Sequence, residues 1–358
     1  MYKLNDYIVL ENPDLKILKD LKTSKIEIDK DGNCTLMRYL AFHNHVNHDI
    51  LDLFENEFSF ESDDGTIPLD FYLSLCNNIN LSYVSKMAIA SKRLYNNYNL
   101  TPLMYYMINC KTPRKDIIKF LSPCMGIRDS YGETALMKYI YQNANPRFDI
   151  IKLFKPEFEI CNLDGLNPLH EYLSKNSYIR LSKKIIKLLK KDESEYLISY
   201  LANNKNPQEE IIYEFQNNIG TQLDGGVTHL MIYLSKNENP KIEIANMLTS
   251  EIGAFDNYGN MAINYYIEKL ENDKLLKPKY DLFKLLKPEI DILNKNTFGN
   301  CDNNLYNFVI HNYKRLGGDI TKLFMNEKLS VKLNMIEGNV NGLMDLKNPF
   351  ILLHANLF

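Results

Sequence analysis

The sequence predicts an all-α fold: a helical solenoid of about ten repeats, each a pair of helices followed by a short turn finger. Three observations predict it. Tyrosines in the pattern L-x-x-Y recur at Tyr7, Tyr39, Tyr72, Tyr106, Tyr139, Tyr172, Tyr200, Tyr233 and Tyr266, with Ile263 in place of the last leucine. The steps are 32, 33, 34, 33, 33, 28, 33 and 33 residues. A turn signal stands seven residues ahead of the tyrosine, as in GETALMKY (132–139) and GNMAINYY (259–266). A second apolar run of one type recurs as HDILDLF (48–54), KDIIKFL (115–121), FDIIKLF (148–154), EEIIYEF (209–215) and YDLFKLL (280–286). A fixed period in this range marks a protein built from one supersecondary unit that buries its apolar face against copies of itself.

The first helix of each unit begins near the leucine of L-x-x-Y, since residues three apart share one helical face. The second helix carries the D-I-I-K-L-F run, whose apolar positions again fall at helical spacing. The polar link between them often ends in proline at a helix start, at Pro113, Pro146, Pro207 and Pro240. The finger ends in Asp-Gly or Tyr-Gly, as in DKDG (29–32), SDDG (62–65) and DNYG (256–259). Glycine there supplies the positive φ that a tight turn demands. The tyrosine reads as a filler between helices, its ring buried and its hydroxyl bonded near a helix end.

Residues 1–31 form a compressed first unit and are expected to cap the N-terminal end. Repeats then run over 32–309, with Phe308 continuing the tyrosine series after an insertion between 266 and 308. One repeat is degenerate near 192–225, where DESE (192–195) replaces the turn glycine and the step shortens to 28; the finger is expected to be lost there. Residues 310–358 are expected to cap the C-terminal end, since a stack needs a polar outer face to stay soluble.

Helix, link, helix and finger at a period of 33 resemble the ankyrin repeat, and the resemblance covers nearly the whole chain. NPLHEY (167–172) and LTPLMYY (100–106) nearly spell its T-P-L-H-x-A opening. Tyrosine stands where that motif has alanine, the link is longer and the finger shorter. Those departures look like the variant repeats of poxviral ankyrin proteins and of parasitic-protist arrays. The resemblance implies a non-catalytic interaction module that binds another protein along a concave face, possible in a host-cell cytoplasm. The alternative is a structural spacer or assembly subunit of a larger complex or cytoskeletal structure.

Composition narrows the partners and the compartment. The chain has 358 residues, a net charge of −3 and a pI near 6.2, which offers no broad pull toward nucleic acid or anionic membrane. Six scattered cysteines suit reduced thiols in a cytoplasmic protein, and no run reaches the roughly 18 apolar residues of a membrane span. No phosphate-binding glycine loop, zinc-protease helix or nucleophile elbow occurs, so no enzyme and no cofactor is expected. EIDKDGN (27–33) imitates a calcium loop, but Arg38 takes the twelfth position, where a bidentate glutamate belongs, and no metal is expected there. His43, His45 and His48 read as a polar link rather than a zinc site. RLSKKIIKLLKK (180–191) reads as a second helix with a solvated lysine face.

The resemblance places the residue just before each tyrosine on the groove. In order these are Arg38, Phe71, Tyr105, Lys138, Glu171, Ser199, Ile232, Tyr265 and Asn307. Two adjacent pairs, Phe71 with Tyr105 and Ile232 with Tyr265, supply the apolar groups from which interface hot spots are made. Lys138 lies between them, and the turn tips Tyr131 and Tyr258 extend the candidate partner-binding surface.

Overall fold

A computed structural model describes residues 3–174, 181–190, 195–296 and 304–325, and among these every regular element is helical. The sole strand-like feature described is an isolated bridge between Ile28 and Cys34. Two compact units divide the chain, one of residues 1–175 with 184–190 and one of 176–183 with 191–358.

In the first unit the helices are Leu4–Tyr7 (α1), Leu15–Leu21 (α2), Thr35–Phe42 (α3), His48–Leu53 (α4), Pro68–Leu75 (α5) and Leu81–Ala90 (α6). Pro102–Asn109 (α7), Lys115–Phe120 (α8), Ala135–Gln142 (α9), Phe148–Ile151 (α10), Pro168–Leu173 (α11) and Lys183–Leu189 (α12) come next. The first helices pack in chain order, α1 on α3, α3 on α5, α5 on α7, α7 on α9 and α9 on α11, while α2 meets α4 and α6 meets α8 in a second row. The N-terminal pair joins this order directly: Thr35 donates to Asn5 Oδ1 at 2.8 Å, and His43 Nε2 lies 2.9 Å from the carbonyl of Ile8.

The second unit holds Glu195–Asn203 (α13), Glu209–Glu214 (α14), His229–Lys236 (α15), Ile242–Met247 (α16), Ala262–Asn272 (α17), Tyr280–Leu285 (α18), Lys287–Asn296 (α19) and Asn304–Phe324 (α20). Here α13, α15 and α17 stack in sequence and α14, α16 and α18 form the second row, with α20 against both α17 and α18. The degenerate repeat thus keeps both of its helices. Its expected finger loss at DESE (192–195) lies outside the described residues except for Glu195, which opens α13. So does the expected C-terminal cap beyond residue 325. The described part of α20 is broken at Gly317, whose φ of 75° no helix accommodates.

The L-x-x-Y tyrosines form the core, with Tyr39, Tyr72, Tyr106, Tyr139, Tyr200, Tyr233 and Tyr266 at most 2% exposed. Their hydroxyls share one task. Tyr39, Tyr72, Tyr106, Tyr139, Tyr200 and Tyr233 accept the backbone N–H of Asn47, Asn80, Arg114, Arg147, Gln208 and Lys241, each eight residues on, at 2.6–2.9 Å. Tyr7 accepts from Asp14 and Tyr266 from Lys279 at 3.2 Å. Every donor is the N-cap residue of a second helix. This bond corrects the sequence reading of the prolines. Pro113, Pro146, Pro207 and Pro240 stand one residue before the N-cap rather than inside the helix, because the N-cap must keep an N–H for the phenol.

Fingers are organised by one side chain each. Asp29, Asn96, Asp129, Asn162 and Asp256 accept two backbone N–H groups apiece, from the residues two and four further on, at 2.7–3.0 Å. Neighbouring fingers then bond through their backbones: Asn97 to Asp64, Ser130 to Tyr98, Leu163 to Tyr131 and Asn257 to Gly225, at 2.8–3.1 Å. Gly132 is needed twice over, for its φ of 78° and because a Cβ there would sit 2.8 Å from the Leu163 nitrogen.

A buried glutamate at the end of the second helix, which the periodicity does not single out, ties repeats together. Glu57, Glu157, Glu251 and Glu289 accept the N–H of Leu36, Leu136, Leu230 and Ile263 in the first turn of their own repeat's first helix, all at 2.7 Å. Glu157, Glu251 and Glu289 also reach the N–H of Gly126, Gly220 and Gly253 in the preceding repeat, at 2.8–3.0 Å. Burial pushes the carboxyls of Glu57, Glu157 and Glu289 above the usual range. Glu251 goes the other way: burial opposes ionisation, but His229, 2.7 Å away and fully buried, and the backbone donors outweigh it.

Two substitutions test this architecture. Tyr139→Ala is expected to cost roughly 3–5 kcal/mol as a large core truncation, and Tyr139→Phe only about 1 kcal/mol for one hydrogen bond; urea unfolding monitored by circular dichroism separates the two. Glu157→Ala leaves two buried N–H groups without an acceptor and is expected to cost roughly 2–5 kcal/mol, with Glu157→Gln intermediate because its amide restores a single acceptor oxygen.

Candidate binding site on the first-helix face

The residue preceding each tyrosine occupies one equivalent place on the first helices, and from Arg38 to Tyr265 all eight are half-buried, neither core nor fully exposed. Four of them have their polar ends drawn back to the finger residue nine positions earlier. Arg38 donates to Asp29 at 2.9 Å, Asn96 donates to the Tyr105 hydroxyl at 3.1 Å, Lys138 pairs with Asp129 at 2.8 Å, and Tyr265 donates to Asp256 at 2.9 Å. Lys138 also pairs with Glu133. The resemblance places this row on the partner-facing groove. The structure gives these members an internal role, fastening helix to finger, and leaves only their flanks to solvent.

Arg38 also explains the calcium-like stretch. Asp29 commits one oxygen to the N–H groups of Asp31 and Asn33 and the other to the Arg38 guanidinium. The three histidines do not converge either, since His43 turns to Ile8 while His48 stacks on Tyr83 with ring centres 4.8 Å apart. Among the described residues no group of three or more histidine, cysteine or acidic side chains could hold a metal ion. In α12, Ile185, Ile186 and Leu189 are buried while Lys183, Lys184 and Lys187 face solvent. No helix among the described residues is long and apolar enough to cross a membrane.

Phe71 is different. The residue nine before it is Ser62, which bonds within its own finger to Asp64 and Thr66, so the phenyl ring has no tether. Phe71 on α5 and Tyr105 on α7 line a cleft of about 320 Å³ with Thr66, Ser74, Leu75 and, behind them, Asp70. The first expected pair is therefore brought together. The second, Ile232 on α15 and Tyr265 on α17, sits on adjacent helices, but the Tyr265 phenol is taken by Asp256 and pushed up to about 12 by burial and that charge. The turn tips are the exposed members of the set, Tyr131 71% and Tyr258 89% exposed, and Tyr258 lies near enough to Tyr265 to help raise its phenol. In the first unit Tyr98 and Tyr131 are the tips of neighbouring fingers joined by the Ser130 bond, so exposed rings succeed one another along that edge.

Sequence spacing does not single out Asp70. It sits two residues before Tyr72, where α3, α7, α9 and α15 carry Met37, Met104, Met137 and Met231. It is 2% exposed, Oδ2 accepts the Ile67 N–H at 3.0 Å, and Oδ1 has no hydrogen-bond partner among the described residues. Burial pushes this carboxyl up to about 7, against the Ile67 hydrogen bond and with help from the Asp64 charge. Burial and the negative charge of Asp70 also raise the Tyr105 phenol. The signal is visible in the sequence as an aspartate at a methionine position, but a charge beside an aromatic pair reads equally well as solvent-facing.

A raised folded-state pKa means that the native chain holds a proton the unfolded chain has lost between about 4 and about 7. Stability contributed by protonated Asp70 is therefore full below that window and disappears as pH rises through it. Asp70→Asn keeps the Ile67 cap, as Asn264 does at the equivalent place on α17. It is expected to unfold at higher denaturant than the parent at pH 8 and at nearly equal denaturant at pH 4. Each pKa unit is worth about 1.4 kcal/mol, and parallel pH profiles would count against the carboxyl's burial.

Compared with known protein families and with curated proteins, the chain matches none.

Proposed function

We propose that the chain is a non-catalytic protein-interaction module whose units are ankyrin-type helix stacks, binding a partner along the row of first helices. The observation that carries this reading is the cleft between α5 and α7. It is the place where the row presents an untethered aromatic ring, Phe71, beside a second ring and a buried acid. Burial of aromatic anchors in a pocket ringed by polar groups is how protein interfaces concentrate their affinity. The period of 33 residues, the helix pairs and the bonded fingers support the ankyrin-type reading of the scaffold. Elsewhere, Arg38, Lys138 and Tyr265 have their polar ends engaged by the fingers, which fits a rigid support more than a second binding centre.

The test is capture from a cell lysate coupled to mass spectrometry. Phe71→Ser combined with Tyr105→Ser is expected to lose the proteins held by the parent chain while keeping its far-ultraviolet circular dichroism. Full retention of every captured protein by the double variant rules this face out and favours the spacer reading.

A further inference from the structure

The cleft between α5 and α7 carries a charge that the scaffold does not require. Methionines fill the equivalent place on four other first helices. Where a polar group stands there instead, it is partnered: Asn264 accepts the N–H of Met261 at 3.0 Å, and His170 lies 3.3 Å from the N–H of Asn167. Asp70 makes the corresponding bond with one oxygen and leaves the other without a partner among the described residues. A buried acceptor in that condition costs free energy unless something occupies it.

The surroundings define what that would be. Phe71, Tyr105 and Leu75 line the cleft with apolar surface, and Thr66, Ser74 and Asn109 line it with polar groups. A second carboxylate, Asp64, lies close enough for its charge to raise the Tyr105 phenol. The nearby cation, Arg93, has its charge paired with Glu61 and one guanidinium nitrogen also bonded to Asn97, while its Nε has no partner among the described residues. Two aromatic rings with Asp70 and Asp64 beside them, and the charge of Arg93 offset by Glu61, favour a positive group over an anion. A volume of about 320 Å³ is ample for a lysine-sized chain.

We propose that this cleft binds an alkylammonium group, its methylene stem between Phe71 and Tyr105 and its N–H donors directed at the Asp70 carboxylate. The inference rests on the reading of the first-helix row as the binding face, and it names the chemistry that face selects. The group can come from a small free amine or from a lysine side chain of a partner protein, and the two sources share every contact just described.

Binding is coupled to a proton. The titratable groups that face Asp70 are Asp64 from the finger, Tyr105 from α7 and Cys124 from the turn after α8, and burial sets the Cys124 thiol up to about 11. Near neutral pH Asp70 alone among them changes charge, so the cation releases its proton and affinity rises as pH increases through about 7.

The experiment is isothermal calorimetry on the full chain at pH 7.5 with n-butylamine, n-butanol, N-acetyl-lysine methylamide and its norleucine counterpart. Each amine is expected to bind at least roughly tenfold more tightly than its neutral partner, as a cation–π contact with a charge-assisted bond implies. Asp70→Asn, verified as folded by its melting curve, is expected to lose that preference and the pH dependence together. Tighter binding of the lysine derivative than of butylamine assigns the site to a protein segment, and the reverse order to a free amine. Equal affinity for amine and alcohol, absence of binding by either amine, or an unchanged preference in Asp70→Asn overturns the proposal. If the amines fail while the Phe71/Tyr105 double variant still loses its captured proteins, the interaction face stands and only its cation chemistry falls.

Discussion

A buried phenol that accepts the backbone N–H of a second-helix N-cap recurs at eight of the L-x-x-Y tyrosines and holds their repeats in shape. The ring fills the space between helices, which any large apolar group could do, but the hydroxyl fixes where the link must end and the next helix begin. The N-cap N–H has no intrahelical acceptor of its own, so the bond answers a need of the donor as much as of the hydroxyl. Phe308 supplies the contrast. Its ring is 1% exposed like its tyrosine counterparts, yet it offers no hydroxyl to an N-cap, and the chain continues as helix until Gly317 breaks it.

Around this bond the repeats share a set of buried acids. A carboxylate inside a protein is unfavourable unless donors surround it. Glu157, Glu251 and Glu289 meet that condition by collecting one N–H from the first turn of a helix and one from the neighbouring repeat's turn. The bonds satisfy helix-end donors that would otherwise be orphaned, and because each glutamate reaches across a repeat boundary they also set the spacing of the stack. Cys124 and Asn218 stand at the same point of two other repeats, so the bridge is a recurrent device and not a uniform one.

The first-helix row serves two purposes. Side chains long enough and polar enough to reach the finger do so, as Arg38, Lys138 and Tyr265 illustrate, and this stiffens the surface on which they lie. Phe71 cannot make that bond, and next to it Asp70 replaces a packing methionine. The same short stretch therefore gives up two stabilising features found in its sister repeats. A local departure of this kind, set in an otherwise consistent repeat, is where function is most reasonably sought.

Much of the scaffold is determined locally and can be read from the chain alone. The period locates the helices, the Asp-Gly and Tyr-Gly pairs locate the positive-φ turns, and the L-x-x-Y rings are identifiable as core because leucine and tyrosine share a helical face. The pairing of Phe71 with Tyr105 is likewise legible, since neighbouring repeats place equivalent residues side by side. What required tertiary structure was every side-chain interaction reaching beyond its own turn or helix. Glu157 reaches residues 21 and 31 positions back, and no propensity or short motif records such a bond. The same holds for Lys138, whose charge looks free in the sequence and is paired in the fold, and for Asp70, whose single partner shows only once burial is known. Sequence periodicity specifies which residues share a face, whereas burial and distance decide which of them remain available.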